Sequence, residues 1–221
     1  MTDPIDPKQV VARGYDQIAE RYLVWGAAGI RLRERDRYTT VLLDALPIGA
    51  AVLELGCGAG IPTTQRLAER FAMTGIDISA RQIALARRNV PNATFIHADM
   101  TGLDFPPDTF DAICAFYALG HVPREEHAAL LRQIARWLRP DGLFVASFSN
   151  DDSAGDIEDD WLGAPMYFSG YDAETNERLV RDAGFDIVTT RPETAEEFGR
   201  PTTFVWIVAR KPRTTNEGSN E

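Results

Sequence analysis

An apolar run at 51–55 stops at Gly56-Cys57-Gly58-Ala59-Gly60, and a helical pattern resumes over 61–71. No other stretch narrows the choice of fold as much. Glycines allow positive φ and close approach of a ligand to the main chain, and a helix that follows aims its first N–H groups at the same point. The loop therefore calls for a buried strand before it, a helix after it and something bound between.

The same alternation continues down the chain. Residues 72–78 read as a strand ending in Asp77, and Ser79 caps a helix over 80–89. Strands follow at 93–97 and 110–116. A helix spans 123–138 with Pro123 near its first turn, and a strand spans 143–148 after the turn Pro140-Asp141-Gly142. Repeated strand–helix units predict a mostly parallel sheet with helices on both faces. The unbroken apolar runs agree, because such strands are covered on both sides. A helix at 172–184, with Gly184 just past its end, and strands at 185–190 and 203–209 complete the pattern. The connection 192–201 is short enough for an antiparallel last pair. Residues 149–165, rich in Asp and Glu, read as a long loop, and 211–221 as a disordered polar tail. Ahead of the sheet, 1–8 read as irregular. Val11, Tyr15, Ile18, Ala19 and Tyr22 mark a helix over 8–25. A second helix over 31–46 carries Arg31, Arg33, Arg35 and Arg37 between Glu34 and Asp36, read as a solvated face. The expected units are a helical lid at 1–46, a core at 47–210 and the tail.

The 221 residues carry 33 acids and 23 bases, a formal charge of −10. A field of that sign disfavours nucleic acid and anionic membrane surfaces as partners. Two cysteines, Cys57 and Cys114, make neither a disulfide scaffold nor a CxxC pair. There is no secretory-signal pattern and no run of about 20 apolar residues. A cytoplasmic protein, monomer or homodimer, without a resident metal is the expectation.

Asp77 closes the next strand about 20 residues past the loop, the spacing at which a carboxylate accepts from a ribose diol. The glycine spacing is G-x-G-x-G rather than G-x-G-x-x-G, and Glu54 stands two residues ahead of it. An acid there disfavours a pyrophosphate and suits a ligand with a cationic amino-acid portion. An NAD-type dehydrogenase is set aside on these grounds.

Glu54-Leu55-Gly56-Cys57-Gly58-Ala59-Gly60 resembles motif I of the class I S-adenosylmethionine-dependent methyltransferases. The resemblance runs from about 50 to 209. Asp77 matches the acid that holds both ribose hydroxyls. His97-Ala98-Asp99-Met100 matches the segment whose acid meets the adenine amino group and whose next residue flanks the ring. Leu138-Arg139-Pro140-Asp141-Gly142 matches the turn before the fifth strand, with Asp141 where the family has glycine. The resemblance implies an α/β, Rossmann-like, seven-stranded sheet of order 3-2-1-4-5-7-6 with strand 7 antiparallel. It also implies S-adenosylmethionine as methyl donor and S-adenosylhomocysteine as product. The donor would be held by Tyr15, Tyr22, Glu54, Gly56, Cys57 through its backbone N–H, Gly58, Gly60, Asp77, Ile78, Asp99, Met100 and Phe116.

The acceptor is read partly from absences. The fourth strand ends Ala115-Phe116-Tyr117-Ala118-Leu119-Gly120-His121, without the N/D-P-P-Y/F motif of nucleic-acid amino-methyltransferases. The double-glutamate hairpin of the protein-arginine type and the strand-end Asp of metal-dependent O-methyltransferases are also missing. The chain resembles the small bacterial enzymes that methylate metabolites. Trp25, Tyr117, Trp161, Met166 and Phe168 are expected to wall an apolar acceptor, and rings also suit a sulfonium cation. His121, just past the fourth strand, is the expected general base. His127 is expected at the surface and His97 in a structural role or beside adenine. The leading reading is methyl transfer to an oxygen of a small aromatic metabolite. The alternatives are a nitrogen, sulfur or carbon acceptor, or a cyclase or binding protein that keeps the fold and does not methylate.

Overall fold

The computed structural model describes residues 6–27, 29 and 31–213; the expectations for 1–5 and 214–221 lie outside them. Helices α1 (Pro7–Ala27) and α2 (Leu32–Ala45) come first. Then follow β1 (Ala51–Leu55), α3 (Thr63–Leu67), β2 (Ala72–Asp77), α4 (Ala80–Asn89), β3 (Thr94–His97) and β4 (Phe110–Ala115). Next are α5 (His127–Trp137), β5 (Leu138–Ser149), β6 (Ser153–Trp161), β7 (Ala164–Gly170), α6 (Ala173–Asp182), β8 (Asp186–Glu197) and β9 (Arg200–Arg210). One sheet has the order β3-β2-β1-β4-β5-β9-β8, in which β9 runs antiparallel to both neighbours. This is the expected seven-stranded order; the last two strands carry higher numbers because of the β6–β7 hairpin.

The strands alternate between two apolar layers. Leu53, Ile113 and Phe144 face Leu130, Ile134 and Trp137 of α5 and Val180 of α6. Val52, Cys114, Val145 and Trp206 face Tyr38 and Leu42 of α2, Leu67 of α3 and Ile83 of α4. Full burial of each large side chain contributes roughly 1.5–3 kcal/mol, so the sheet is covered on both faces as its continuous apolar runs require. The strand order reverses between β1 and β4, which opens a crevice beyond their carboxyl ends.

Several expectations need correction. The stretch 149–165 is no loop: β6 pairs antiparallel with β7 in a separate two-stranded sheet. Its acids Asp156, Glu158, Asp159 and Asp160 are exposed on an edge strand, where charge discourages pairing with other chains. Backbone pairing, not apolar alternation, holds this strand, so periodicity missed it. The last hairpin is longer than expected, with only Phe198-Gly199 between its strands. Both residues have positive φ, 51° and 74°, as a tight two-residue turn demands. The helix after the glycine loop shrinks to five residues, α3. Asp141 takes φ 68°, a conformation that Asp tolerates better than most residues, which explains how it replaces a glycine. Lys211, placed in the tail, accepts from Asp141 N–H and donates to Gly142 O at 3.0 Å, so pairing continues through it.

Helix α1 lies across the crevice rather than against the sheet. Val11 and Ile18 pack on Ala164, Met166 and Tyr167 of β7. A Cβ on Gly14 would stand 2.6 Å from Pro165 O and 2.8 Å from Met166 Cε, so glycine lets helix and strand meet. Asp16 Oδ1 accepts from Ser79 Oγ (2.6 Å) and Arg81 N–H (2.9 Å) at the start of α4, where the helix dipole favours an anion.

Candidate active site

The glycine loop sits on β1's carboxyl end. Gly56 and Cys57 N–H both donate to Ile76 O, at 2.8 and 2.9 Å, and Gly60 N–H donates to Cys57 O. Gly58 N–H donates to Asp77 Oδ2 at 2.8 Å. The N–H groups of Gly56, Cys57, Gly58 and Gly60 are thus engaged internally, the one expected from Cys57 among them. Gly56 combines φ 72° with a site where a Cβ would be 2.4 Å from Ala118 Cβ. The loop therefore offers close approach rather than donors.

Two cavities adjoin here and share the walls formed by Tyr15, Tyr22, Gly56, Gly58, Tyr117 and His121. The narrower one, about 60 Å³, is also bounded by Asp77, Ile78, Asp99, Met100 and Phe116, and by Lys8 of α1. Asp77 Oδ1 accepts from Ser79 N–H at 2.9 Å. Asp99 accepts from Thr101 N–H at 2.9 Å and pairs with Lys8 Nζ at 2.9 Å. Lys8 also donates to Glu126 at 2.5 Å and to Thr101 Oγ1 at 2.6 Å. Burial drags the Lys8 amine down, but the bonds to Glu126 and Asp99 outweigh it and leave it above the usual lysine value.

The wider cavity, about 360 Å³, takes its aromatic wall from α1 (Tyr15, Tyr22, Trp25), β6 (Trp161) and β7 (Phe168). His121 lies between them in a 3-10 turn (Leu119–His121) that follows β4. Its ring is 4.8 Å from Phe168 and 5.2 Å from Tyr15, centroid to centroid. Its Nδ1 is 2.9 Å from Tyr167 O, and its Nε2 is 2.8 Å from Tyr15 Oη. A carbonyl oxygen only accepts, so Nδ1 carries the proton. Nε2 therefore holds the lone pair and accepts from the Tyr15 hydroxyl. Burial pushes His121 down to about 4, which keeps the ring neutral near pH 7. Burial also holds the Tyr15 phenol well above its ordinary value, so it stays protonated.

The matching sequences now bear on this geometry. A methyltransferase domain family matches residues 52–142. A 27-O-demethylrifamycin SV methyltransferase of Amycolatopsis mediterranei is 30% identical over 95% of this chain and 83% of its own length. The chain belongs to the S-adenosylmethionine-dependent methyltransferases. A 2-methyl-6-phytyl-1,4-hydroquinone methyltransferase of Synechocystis is 29% identical over 77% of this chain but only 54% of its own. Among solved structures, the magnesium protoporphyrin IX methyltransferase of Synechocystis with bound SAM superposes with TM-score 0.70. It is 18% identical and covers 96% of this chain and 100% of its own. The 4+2 cyclase SpnF superposes with TM-score 0.73 at 20% identity, over 95% and 98%. These two show the shared fold.

The methyltransferase's own residues fit the donor. Burial raises Asp77 to about 6, with Ser79 and Gly58 N–H holding it lower than burial alone would. It is ionised at neutral pH, and each oxygen keeps a lone pair for a diol. Beneath the loop, the buried Gln82 amide has no partner for its oxygen or nitrogen among the described residues. Glu54, Gly60 and Met166 stand away from the cavity walls. Glu54 is buried, accepts from the Thr64 hydroxyl and is raised to about 7 by that burial. Its carboxylate is turned to Thr64 and does not line either cavity. Gly60 packs against Val90 and Ala86, and Met166 belongs to the core under α1. His127 is also buried, not at the surface: Nε2 caps Leu119 O and Val122 O, each at 3.0 Å. His97 Nε2 meets Ile78 O at 3.0 Å, a structural role. The sequence reading missed Lys8, Arg31, Arg35 and Glu197 on the walls. For the arginines the overlooked signal was their four-residue spacing, which puts both on one helical face.

Proposed function

We propose that this methyltransferase methylates an oxygen of a small, planar acceptor, with His121 as general base. The observation that carries this reading is the chain Tyr167 C=O···H–Nδ1 His121 Nε2···H–Oη Tyr15. It fixes the tautomer and presents a lone pair on the cavity wall. S-adenosylmethionine, when bound, supplies an activated sulfonium methyl for direct SN2 displacement by the acceptor oxygen. Asp77 and Asp99 would hold its ribose and adenine. The rings of Tyr15, Tyr22, Trp25, Trp161 and Phe168 would position the acceptor and exclude water. The acceptor hydroxyl would take the place of the Tyr15 hydroxyl at Nε2 and pass its proton there, leaving an imidazolium that discharges to water. Helix α1 (Pro7–Ala27) would act as a lid over the site, whereas α2 packs on the main sheet as part of the core.

The test is methyl transfer to a panel of phenols, followed by product mass. His121→Asn is expected to lower kcat by about 10²–10⁴ with S-adenosylhomocysteine binding unchanged. Equal rates for the variant and the wild-type enzyme across the pH range would overturn the base assignment and leave positioning alone to drive the transfer.

A further inference from the structure

We propose that the acceptor is a planar hydroxyl-bearing head with a long apolar chain, and that the chain leaves the wider cavity along a track of rings ending at Phe198. The proposal rests on the reading of that cavity as the acceptor's, and it names the class of molecule the cavity takes. From His121 the track passes to Phe168 at 4.8 Å, to Trp161 at 5.7 Å, to Trp25 at 5.9 Å and to Phe198 at 5.8 Å, centroid to centroid. The first four rings line the cavity. Phe198 lies beyond it and is 57% exposed. Ile61 both lines the cavity and is exposed, so it marks the opening. Single exposed apolar residues are ordinary. Here an exposed ring continues an inner aromatic row without a break, and contiguous apolar surface marks a binding site.

Phe198 stands where turn chemistry asks for another residue. With Gly199 it makes the tight turn between β8 and β9, at φ 51°, where Asn, Asp or Gly is favoured and a bulky side chain is costly. The ring is laid on Trp25 of α1, with planes 13° apart. The neighbouring Glu197 accepts from Nε of the buried Arg31 at 2.6 Å, which fastens the tip and holds the ring in place. A hairpin that only had to close would carry a polar turn; this one sets an aromatic at the outer end of the row. Beyond His121 every side chain on the track is an uncharged aromatic, so what lies along it is apolar. The net charge of −10 works against a second copy of the chain or an anionic membrane on the same rings. A neutral chain meets no such barrier.

Binding calorimetry with S-adenosylhomocysteine saturating tests this without turnover. The probes are 4-ethyl-, 4-butyl- and 4-hexylphenol, and a phenol whose side chain is a polyether as long as hexyl. For the wild-type enzyme, affinity is expected to rise about two- to fourfold for each methylene that reaches the rings, and the polyether should gain far less. Phe198→Asn suits the turn and so keeps the hairpin; it should flatten the rise from butyl to hexyl. Phe198→Leu should restore much of that rise, which a misfolded tip would not. The proposal is overturned if affinity in the wild-type enzyme does not rise with chain length, if the polyether gains as much, or if Phe198→Asn retains the rise. Sedimentation adds a further check: a dimer that Phe198→Asn dissociates would give the ring to a second copy and also overturn it. A rising series with no methylated phenol would sink the oxygen-acceptor reading alone, whereas methylated phenols with a flat series would sink the chain proposal alone.

Discussion

Asp77 does two jobs with one carboxylate. It braces the loop through Gly58 N–H and faces the narrower cavity. Its folded value of about 6 sets a pH dependence. A diol favours the charged form, so binding lowers the group further. Affinity for S-adenosylhomocysteine should hold above about pH 6 and fall below it, by up to about tenfold per pH unit. Calorimetry between pH 5 and 8 checks this, and Asp77→Asn should bind weakly with no pH dependence. Glu54, raised to about 7, titrates in the same window, so Glu54→Gln must leave the Asp77 limb in place. At this scale the sequence was informative where chemistry and position coincide: Gly56, Gly58, Asp77, Asp99 and His121 all reach the cavities. It misled at Met166 and His127, because a residue type says nothing about which face of an element it occupies. The carbonyl of Tyr167, which fixes the His121 tautomer, is invisible in any sequence because every residue has one.

Among the elements, α1 is held by its own small apolar contacts with β7 and α4 and by polar fastenings, apart from the two layers on the main sheet. Lys8 grips Asp99 and Glu126 at one end, Asp16 meets the start of α4 in the middle, and Arg21 reaches Leu162 O near the other. Lys8 and its partners are partly exposed, so the pairing is worth about 1 kcal/mol or less. Lys8→Met is therefore expected to leave the melting temperature within a few degrees. It should instead speed hydrogen exchange across α1 and shorten the residence of S-adenosylhomocysteine. Unchanged exchange in α1 would show that the grip on Asp99 does not hold the helix down. The elements of the sheet were readable because buried parallel strands leave unbroken apolar runs. β6 was not, since its side chains are mostly solvated and its pairing is carried by the backbone.

For the whole molecule, the main sheet and the loops at its strand ends supply most of the wall of the narrower cavity. The appended parts (α1, the β6–β7 hairpin and the end of β8–β9) supply most of the aromatic wall of the wider one. β9 pairs with β5 only from Phe204 onward, so the tip that carries Glu197 extends beyond the sheet. Bound S-adenosylhomocysteine is expected to slow amide exchange in α1 and β7 by tenfold or more, while β1, β4 and β5 change little because they are already protected. Mass spectrometry of exchanged peptides decides this; uniform protection would mean that the molecule opens as one unit. The division has a consequence for redesign. Asp77 cannot be altered for a different donor without also releasing Gly58, so the donor end resists change. Trp25, Trp161, Phe168 and the hairpin tip project from parts the sheet does not need. They can be exchanged for other side chains, or for other hairpins, to admit new acceptors while the chemistry underneath stays the same.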